Sequence, residues 1–87
     1  MNRTDVVAQF GAATLAEHNF FARAESRPWE LGIVAEPSNY LVYRTNERNV
    51  FALERRVESE SEALELFAKK LRFELARRER EGGQRPY

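Results

Sequence analysis

The sequence predicts an α+β domain in the order α-β-β-β-α, with a three-stranded antiparallel meander packed against two helices. Three observations predict this class. Apolar residues recur at helical spacing near both ends of the chain, and they alternate with polar residues in the middle. Short turn sequences separate the alternating runs. The 87 residues have the length of one domain, which we place at residues 1–81, followed by a flexible tail at residues 82–87.

The first helix is predicted from Thr4 to about Ala24. Thr4 is a suitable N-cap, and the carboxylate of Asp5 suits the positive end of the helix macrodipole. The polar stretch around His18 weakens the helical periodicity. Two alternatives therefore stay open. Either the helix continues to Ala24, or it ends near His18 and residues 19–23 are extended, as a further strand.

Three strands are predicted in the middle of the chain. Residues 29–35 alternate apolar and polar side chains, residues 40–44 are rich in β-forming residue types, and residues 50–57 alternate again. The separating segments, 36–39 and 45–49, contain proline, serine and asparagine, which favour turns because they preset φ or bond the local backbone. Short connections between consecutive strands favour a meander.

The last helix is predicted to begin after Ser59, which forms a capping box with Glu62. Carboxylates gather near its N-terminal end and cations near its C-terminal end, as the macrodipole favours. The pair Gly82-Gly83 is predicted to end it. The core residues predicted from all five elements are Val6, Phe10, Phe21, Leu31, Ile33, Leu41, Phe51, Leu53, Leu64, Phe67, Leu71 and Leu75.

The composition removes several kinds of active site. Without cysteine there is no disulfide, thiolate metal site or thiol nucleophile. His18 is the one histidine, the serines lie in turns or at a cap, and no glycine-rich phosphate loop precedes a helix. The sequence has one aspartate, Asp5, and no loop of spaced aspartate, asparagine and glutamate residues of the EF-hand kind. We therefore expect a protein that is not an enzyme and that uses no cofactor and no metal.

The same features indicate a cytoplasmic protein. A small domain without cysteine is typical of a reducing compartment, and the N-terminal segment lacks the apolar run of a signal peptide or membrane span. The 14 basic and 14 acidic residues give a formal net charge of zero. That balance argues against a domain dominated by sequence-independent phosphate binding, which is normally basic overall.

The last helix carries an apolar pair on a second face. Leu66 and Phe73 are seven residues apart and lie about 180° around the helix from Leu64 and Leu71, where a helix packed only on its own sheet should be polar. Either another part of the domain covers the pair, or it forms an exposed strip that docks on another protein or on a second copy. The cations that flank this strip are Lys69, Lys70 and Arg77.

A second group of residues combines aromatic and arginine side chains on the second and third strands and their turn. It consists of Tyr40, Tyr43, Arg44, Arg48, Arg55 and Arg56. A sheet with these residue types can stack bases and hold phosphates, although exposed arginines on strands also serve as edge protection. Across roughly residues 4–80, the order of elements resembles that of the double-stranded-RNA-binding domain, which implies a nucleic-acid ligand. That family begins its last helix with lysines, whereas residues 58–62 here read Glu-Ser-Glu-Ser-Glu.

The function that these patterns favour is a small, non-catalytic protein-interaction module. By analogy of size and composition, it would be an accessory regulator or inhibitor of the kind found in phages and mobile elements. Its partner would be another protein or a second copy of the chain, bound through Leu66 and Phe73. The alternative is a nucleic-acid-binding domain that uses the arginine- and tyrosine-bearing face of the sheet.

Overall fold

A computed structural model of the chain describes residues 1–22 and 28–82. The elements are α1 (Arg3–Phe10), α2 (Ala12–Ala16), β1 (Asn19–Phe20), β2 (Leu31–Ala35), β3 (Tyr40–Thr45), β4 (Phe51–Val57) and α3 (Glu60–Gly82). The strands form one sheet in the order β1-β2-β3-β4, in which β2, β3 and β4 are the antiparallel meander. The predicted α+β class and the meander are confirmed.

The N-terminal segment differs from the single long helix that the sequence predicts. Gly11 has a φ of +85°, a conformation that suits glycine, and it separates α1 from α2. The N-cap is Asn2 rather than Thr4: the Asn2 Oδ1 accepts from the backbone N–H of Asp5 at 2.8 Å, and the Asp5 Oδ2 accepts from the N–H of Asn2 at 2.9 Å. The helical region ends at Ala16, and the part of the prediction beyond residue 22 lies outside the described residues.

The sheet has a fourth strand, which the sequence left as one of two alternatives. Asn19 pairs with Gly32, and Phe20 pairs with Ile33, both in parallel. β1 is therefore an edge strand, and the mixed sheet replaces the predicted three-stranded one. At the other end of the chain, the predicted cap is confirmed, because the Ser59 Oγ accepts from the N–H of Glu62 at 3.0 Å. Within the predicted tail, Gly82 still belongs to α3, and residues 83–87 lie outside the described part.

The hydrophobic core lies between the helices and one face of the sheet. Its buried members are Val6, Leu15, Leu31, Ile33, Val42, Ala63, Leu64, Phe67 and Leu71. The expectation that Phe51 belongs to this core is wrong, because its side chain is 44% exposed and stacks on Tyr43, with ring centroids 4.9 Å apart. Tyr43 alternates with the core residue Val42 along β3, so Phe51 lies on the opposite face of the sheet.

That opposite face contains a buried polar network centred on Tyr43. The Tyr43 hydroxyl donates to the Glu30 Oε1 at 2.5 Å and accepts from the Asn19 Nδ2 at 2.7 Å. The backbone N–H of Glu30 donates to the Thr45 Oγ1 at 2.7 Å. The ring lies across Gly32, where an added Cβ would clash with the ring carbon Cζ. The side chain of Tyr43 is fully buried, and its hydrogen bonds connect β3 to β1 and to the residue that precedes β2.

Candidate functional site

One flank of α3 is in contact with α1. The Arg3 guanidinium lies 2.9 Å from the Glu60 Oε1, at the start of α3, and 3.7 Å from the centre of the Phe21 ring. The hydrogen bond from Arg3, together with a smaller contribution from Tyr40, lowers the pKa of the Glu60 carboxyl. On this side the carboxylate of Glu60 therefore has a partner within the domain.

The other flank of α3 is open and forms a groove with the last strand. The helix packs its buried residues on β2 and β3, so the helix-side face of β4 is left partly uncovered. The resulting groove encloses about 690 Å³. Its lining residues are Arg44, Leu53, Arg55, Leu66, Lys69, Lys70, Arg72 and Phe73. We call it the α3–β4 groove.

A shallower depression of about 290 Å³ extends the groove toward the start of α3. It shares Arg55, Leu66 and Lys69 with the groove, and it adds two carboxylates, those of Glu62 and Glu65. The charge along the groove is therefore uneven. Cations line its whole length, and carboxylates occur at the end nearest the start of α3.

The apolar surface of the groove comes from three side chains. Phe73 is 67% exposed, the highest value for any large hydrophobic side chain in the described part of the chain. Leu66 is half-buried and packs against the core, and Leu53 on β4 is half-buried as well. Of the two predicted residues of the strip, the domain itself thus partly covers Leu66 and leaves Phe73 in solvent.

The cations of the groove differ in their partners. The Arg44 guanidinium lies 3.0 Å from the Glu74 Oε1, and its side chain is only 24% exposed. The other four have no ion-pair partner within residues 1–22 and 28–80; these are Arg55, Lys69, Lys70 and Arg72. Four unpaired cations in one concave surface produce a local positive potential that attracts anionic groups.

The structure gathers most of the predicted partner-binding residues into this groove. Leu66, Phe73, Lys69 and Lys70 line it, whereas Arg77 is exposed farther along α3 and is not part of the lining. Two lining residues that the sequence reasoning missed are Leu53 and Arg72. For Leu53, the signal was the alternation in β4, because residues 53, 55 and 57 share the helix-side face.

The predicted nucleic-acid-binding residues are divided between the two faces of the sheet. Arg44 and Arg55 line the groove on the helix side, and Tyr40 packs against the core there. Tyr43 is buried on the opposite face, where the Arg56 Nε donates to the Glu36 Oε1 at 3.0 Å. That hydrogen bond raises the pKa of Arg56. Arg48 is exposed in the turn between β3 and β4.

Behind Arg44 lies a buried titratable pair. His18 is 6% exposed and Glu74 is 4% exposed. Within the described residues, neither the His18 Nε2 nor the Glu74 Oε2 has a hydrogen-bond partner. Burial lowers the pKa of His18, and the opposing effect of the Glu74 carboxylate is smaller. The imidazole is therefore neutral at pH 7. Arg78, 3.8 Å from the Glu74 Oε1, completes the surroundings of that carboxylate together with Arg44.

Comparisons with known proteins were made at three levels. No protein-family model matches the chain, and no curated protein and no solved structure matches it either.

Among the helices of the described residues, none is long and apolar enough to cross a membrane. In the same part of the chain, no cluster of three or more histidine, aspartate and glutamate side chains could hold a metal ion.

Proposed function

We propose that the protein is a non-catalytic protein-interaction module that binds another protein through the α3–β4 groove and acts as an accessory regulator or inhibitor of that partner. The observation that supports this proposal is the exposed ring of Phe73 beside unpaired cations. An apolar centre with a charged rim is typical of protein-binding surfaces, where aromatic and arginine side chains provide much of the binding energy.

The charge of the groove supports a partner with acidic side chains. A partner segment that combines apolar and acidic side chains can cover Phe73 and Leu66 while its carboxylates approach Lys69, Lys70 and Arg55. A volume of about 690 Å³ lies within the usual range of ligand pockets, roughly 300–1,000 Å³, and it can receive a few side chains of a docking segment. An acidic, partly apolar segment of another protein is therefore the occupant that we favour.

A second copy of the chain fits the groove less well. The groove and its extension in each copy contain four cations without an ion-pair partner among the described residues. The carboxylates there are those of Glu62 and Glu65. Two facing grooves would therefore contain more cations than anions, and like charges in contact weaken an interface. Self-association through this surface is an outcome that the experiment below can detect.

A nucleic-acid ligand is the second candidate. The specific observation in its favour is that Phe73 lies beside the unpaired cations, because single-stranded nucleic acids bind to grooves that combine aromatic stacking with phosphate contacts. The burial of Tyr43 removes one of the stacking side chains expected on the sheet. The zero net charge of the chain also favours a protein partner over a polyanion.

The proposal can be tested by affinity capture from a lysate of the source organism, with and without nuclease and at two salt concentrations. The variants are Phe73→Glu and the double change Lys69→Glu with Lys70→Glu. Arg80→Glu is the matched control, because Arg80 is an exposed cation of the same helix outside the groove. We expect a stoichiometric protein that survives nuclease, is lost with both groove variants and is retained with Arg80→Glu.

Other results would contradict the proposal. Nucleic acid that co-purifies and washes away as salt rises would favour the second candidate. A fixed oligomer of the chain that dissociates in Phe73→Glu would indicate self-association. Circular dichroism of each variant shows whether a loss of binding comes from the groove or from unfolding.

A further inference from the structure

We infer that the partner segment binds as an extended strand that adds to the free edge of β4, with alternate side chains in the α3–β4 groove. This inference rests on the proposed function and specifies how the partner is held. It depends on two independent features: the position of β4 in the sheet and the position of the groove beside it.

The first feature is the open edge of the sheet. β4 is the last strand in the order β1-β2-β3-β4, and within the described residues it pairs with β3 alone. It spans seven residues, from Phe51 to Val57, whereas the strand at the opposite edge, β1, has only two. An edge strand presents unpaired N–H and C=O groups to an added chain. Of the two edges, β4 is therefore the one long enough to hold a peptide.

The second feature is the location of α3 above this edge. Leu53 and Arg55 point to the helix side of β4, where Leu66 and Phe73 of α3 complete the groove. A strand added about 4.8 Å from β4 would direct every second side chain to the same side. Apolar and acidic residues at these alternate positions would contact Phe73 and Leu66 and approach Lys69. Backbone pairing and side-chain contacts would thus come from one segment.

The charges on β4 distinguish an acidic strand from a second copy. In an antiparallel pair of two β4 strands centred on Arg55, that residue would lie opposite itself, and a register centred on Glu54 would place Glu54 opposite itself. Like charges at directly opposed positions destabilise a strand pair. An incoming strand with carboxylates on its helix-side positions would instead place them near Arg55. These two registers are therefore unfavourable for a second copy, and the cation of Arg55 favours an acidic partner.

The test uses isotope-labelled protein and a capped peptide of about eight residues. Its groove-facing positions, every second residue, are valine and glutamate in turn, and the residues between them are threonine. Amide chemical shifts are followed as peptide is added to about 1 mM, a concentration that detects weak binding. We expect the largest changes at residues 51–57 and around Phe73. The control peptide is methylated on the backbone nitrogens that would pair with β4. We expect its affinity to be lower by a factor of at least about ten, because it has lost several hydrogen-bond donors.

The possible outcomes separate this inference from the proposed function. Equal binding of the methylated and unmethylated peptides would overturn strand addition while leaving the groove as a binding surface. No shift at residues 51–57, or the same shifts with a peptide in which lysine replaces each glutamate, would also overturn it. Competition for the same amides by a single-stranded oligonucleotide, with tighter binding than the peptide, would replace it by the nucleic-acid candidate. The capture experiment with Phe73→Glu decides independently whether the groove binds a protein at all.

Discussion

The two flanks of α3 carry similar residue types but differ in how those residues are partnered. On the α1 flank, Arg3 lies between a carboxylate, Glu60, and an aromatic ring, Phe21. On the β4 flank, Phe73 lines a groove together with several cations, but its side chain is exposed and most of these cations have no partner in the described part of the chain. The comparison shows that the residues of one flank are held by contacts within the domain and that the ring of Phe73 on the other is left exposed.

The largest expected effect comes from comparing the stability of alanine variants at two phenylalanines of α3, Phe67 and Phe73. Phe67 is fully buried and lies 5.8 Å from Phe20, measured between ring centroids, so Phe67→Ala should lower the free energy of unfolding by about 3–5 kcal/mol. Phe73→Ala should change it by no more than about 0.5 kcal/mol. Urea denaturation of both variants measures these values. Similar losses in the two variants would show that Phe73 also belongs to the core.

A second large effect is expected on the far face of the sheet. In Gly32→Ala the new Cβ would meet the ring of Tyr43, which the hydrogen bonds to Glu30 and Asn19 hold in place. We expect a loss of about 1–3 kcal/mol in the free energy of unfolding, as in other overpacked sites. In a Tyr43→Phe background, Gly32→Ala should cost less free energy of unfolding than it does in the original chain, because the ring without its hydroxyl is free to shift. The combined loss should therefore be smaller than the sum of the two single losses. An additive result in denaturation experiments would contradict this explanation.

A smaller, pH-dependent effect is expected from His18. Burial lowers the pKa of His18 in the folded chain, so the unfolded chain takes up the proton first as pH falls. The stability associated with the neutral imidazole is full above pH 6.5, the ordinary histidine value, and it is lost as pH falls from there through the folded-state pKa. His18→Gln should flatten this part of a stability–pH curve from urea denaturation. An unchanged slope would show that other groups titrate there.

The smallest expected effect is a change in the pKa of the Glu60 carboxyl, which distinguishes the two flanks of α3. Replacing Arg3 by alanine should raise the pKa of the Glu60 carboxyl toward its ordinary value, because the hydrogen bond from the guanidinium is removed. Lys69→Ala, on the open flank, should leave that pKa unchanged. A titration of the Glu60 carboxyl carbon by nuclear magnetic resonance compares the two variants. Equal shifts in both would mean that long-range charge, and not the local pair, controls Glu60.

Much of the fold could be predicted because its signals are local. The alternation in residues 29–57 and the N-cap at Ser59 each depend on neighbours in the sequence. The three strands and the hydrogen bond from the Glu62 N–H to the Ser59 Oγ are confirmed. β1 could not be predicted in this way, since two residues carry no periodicity and their pairing with Gly32 and Ile33 is non-local. The break at Gly11 was also missed, because an isolated glycine in a helical pattern is often tolerated.

The groove could be predicted only in part. The helical spacing of Leu66 and Phe73 reveals that they share a face, but it does not reveal how far α3 lies to one side of the sheet. That lateral position decides that Leu66 is half-buried and that Phe73 is exposed. It also brings Arg55 from β4 next to Lys69, so two groups of residues that the sequence kept apart meet in one surface.

The contrast between Trp29 and Tyr43 has a consequence for spectroscopy. Trp29, the single tryptophan, is 57% exposed, whereas the ring of Tyr43 is fully buried beside Phe51. The indole is already largely hydrated in the native state, so its emission wavelength should shift little when the chain unfolds. Near-ultraviolet circular dichroism of the tyrosines depends on a fixed, asymmetric environment, and it is therefore the optical signal that should follow the loss of the native sheet.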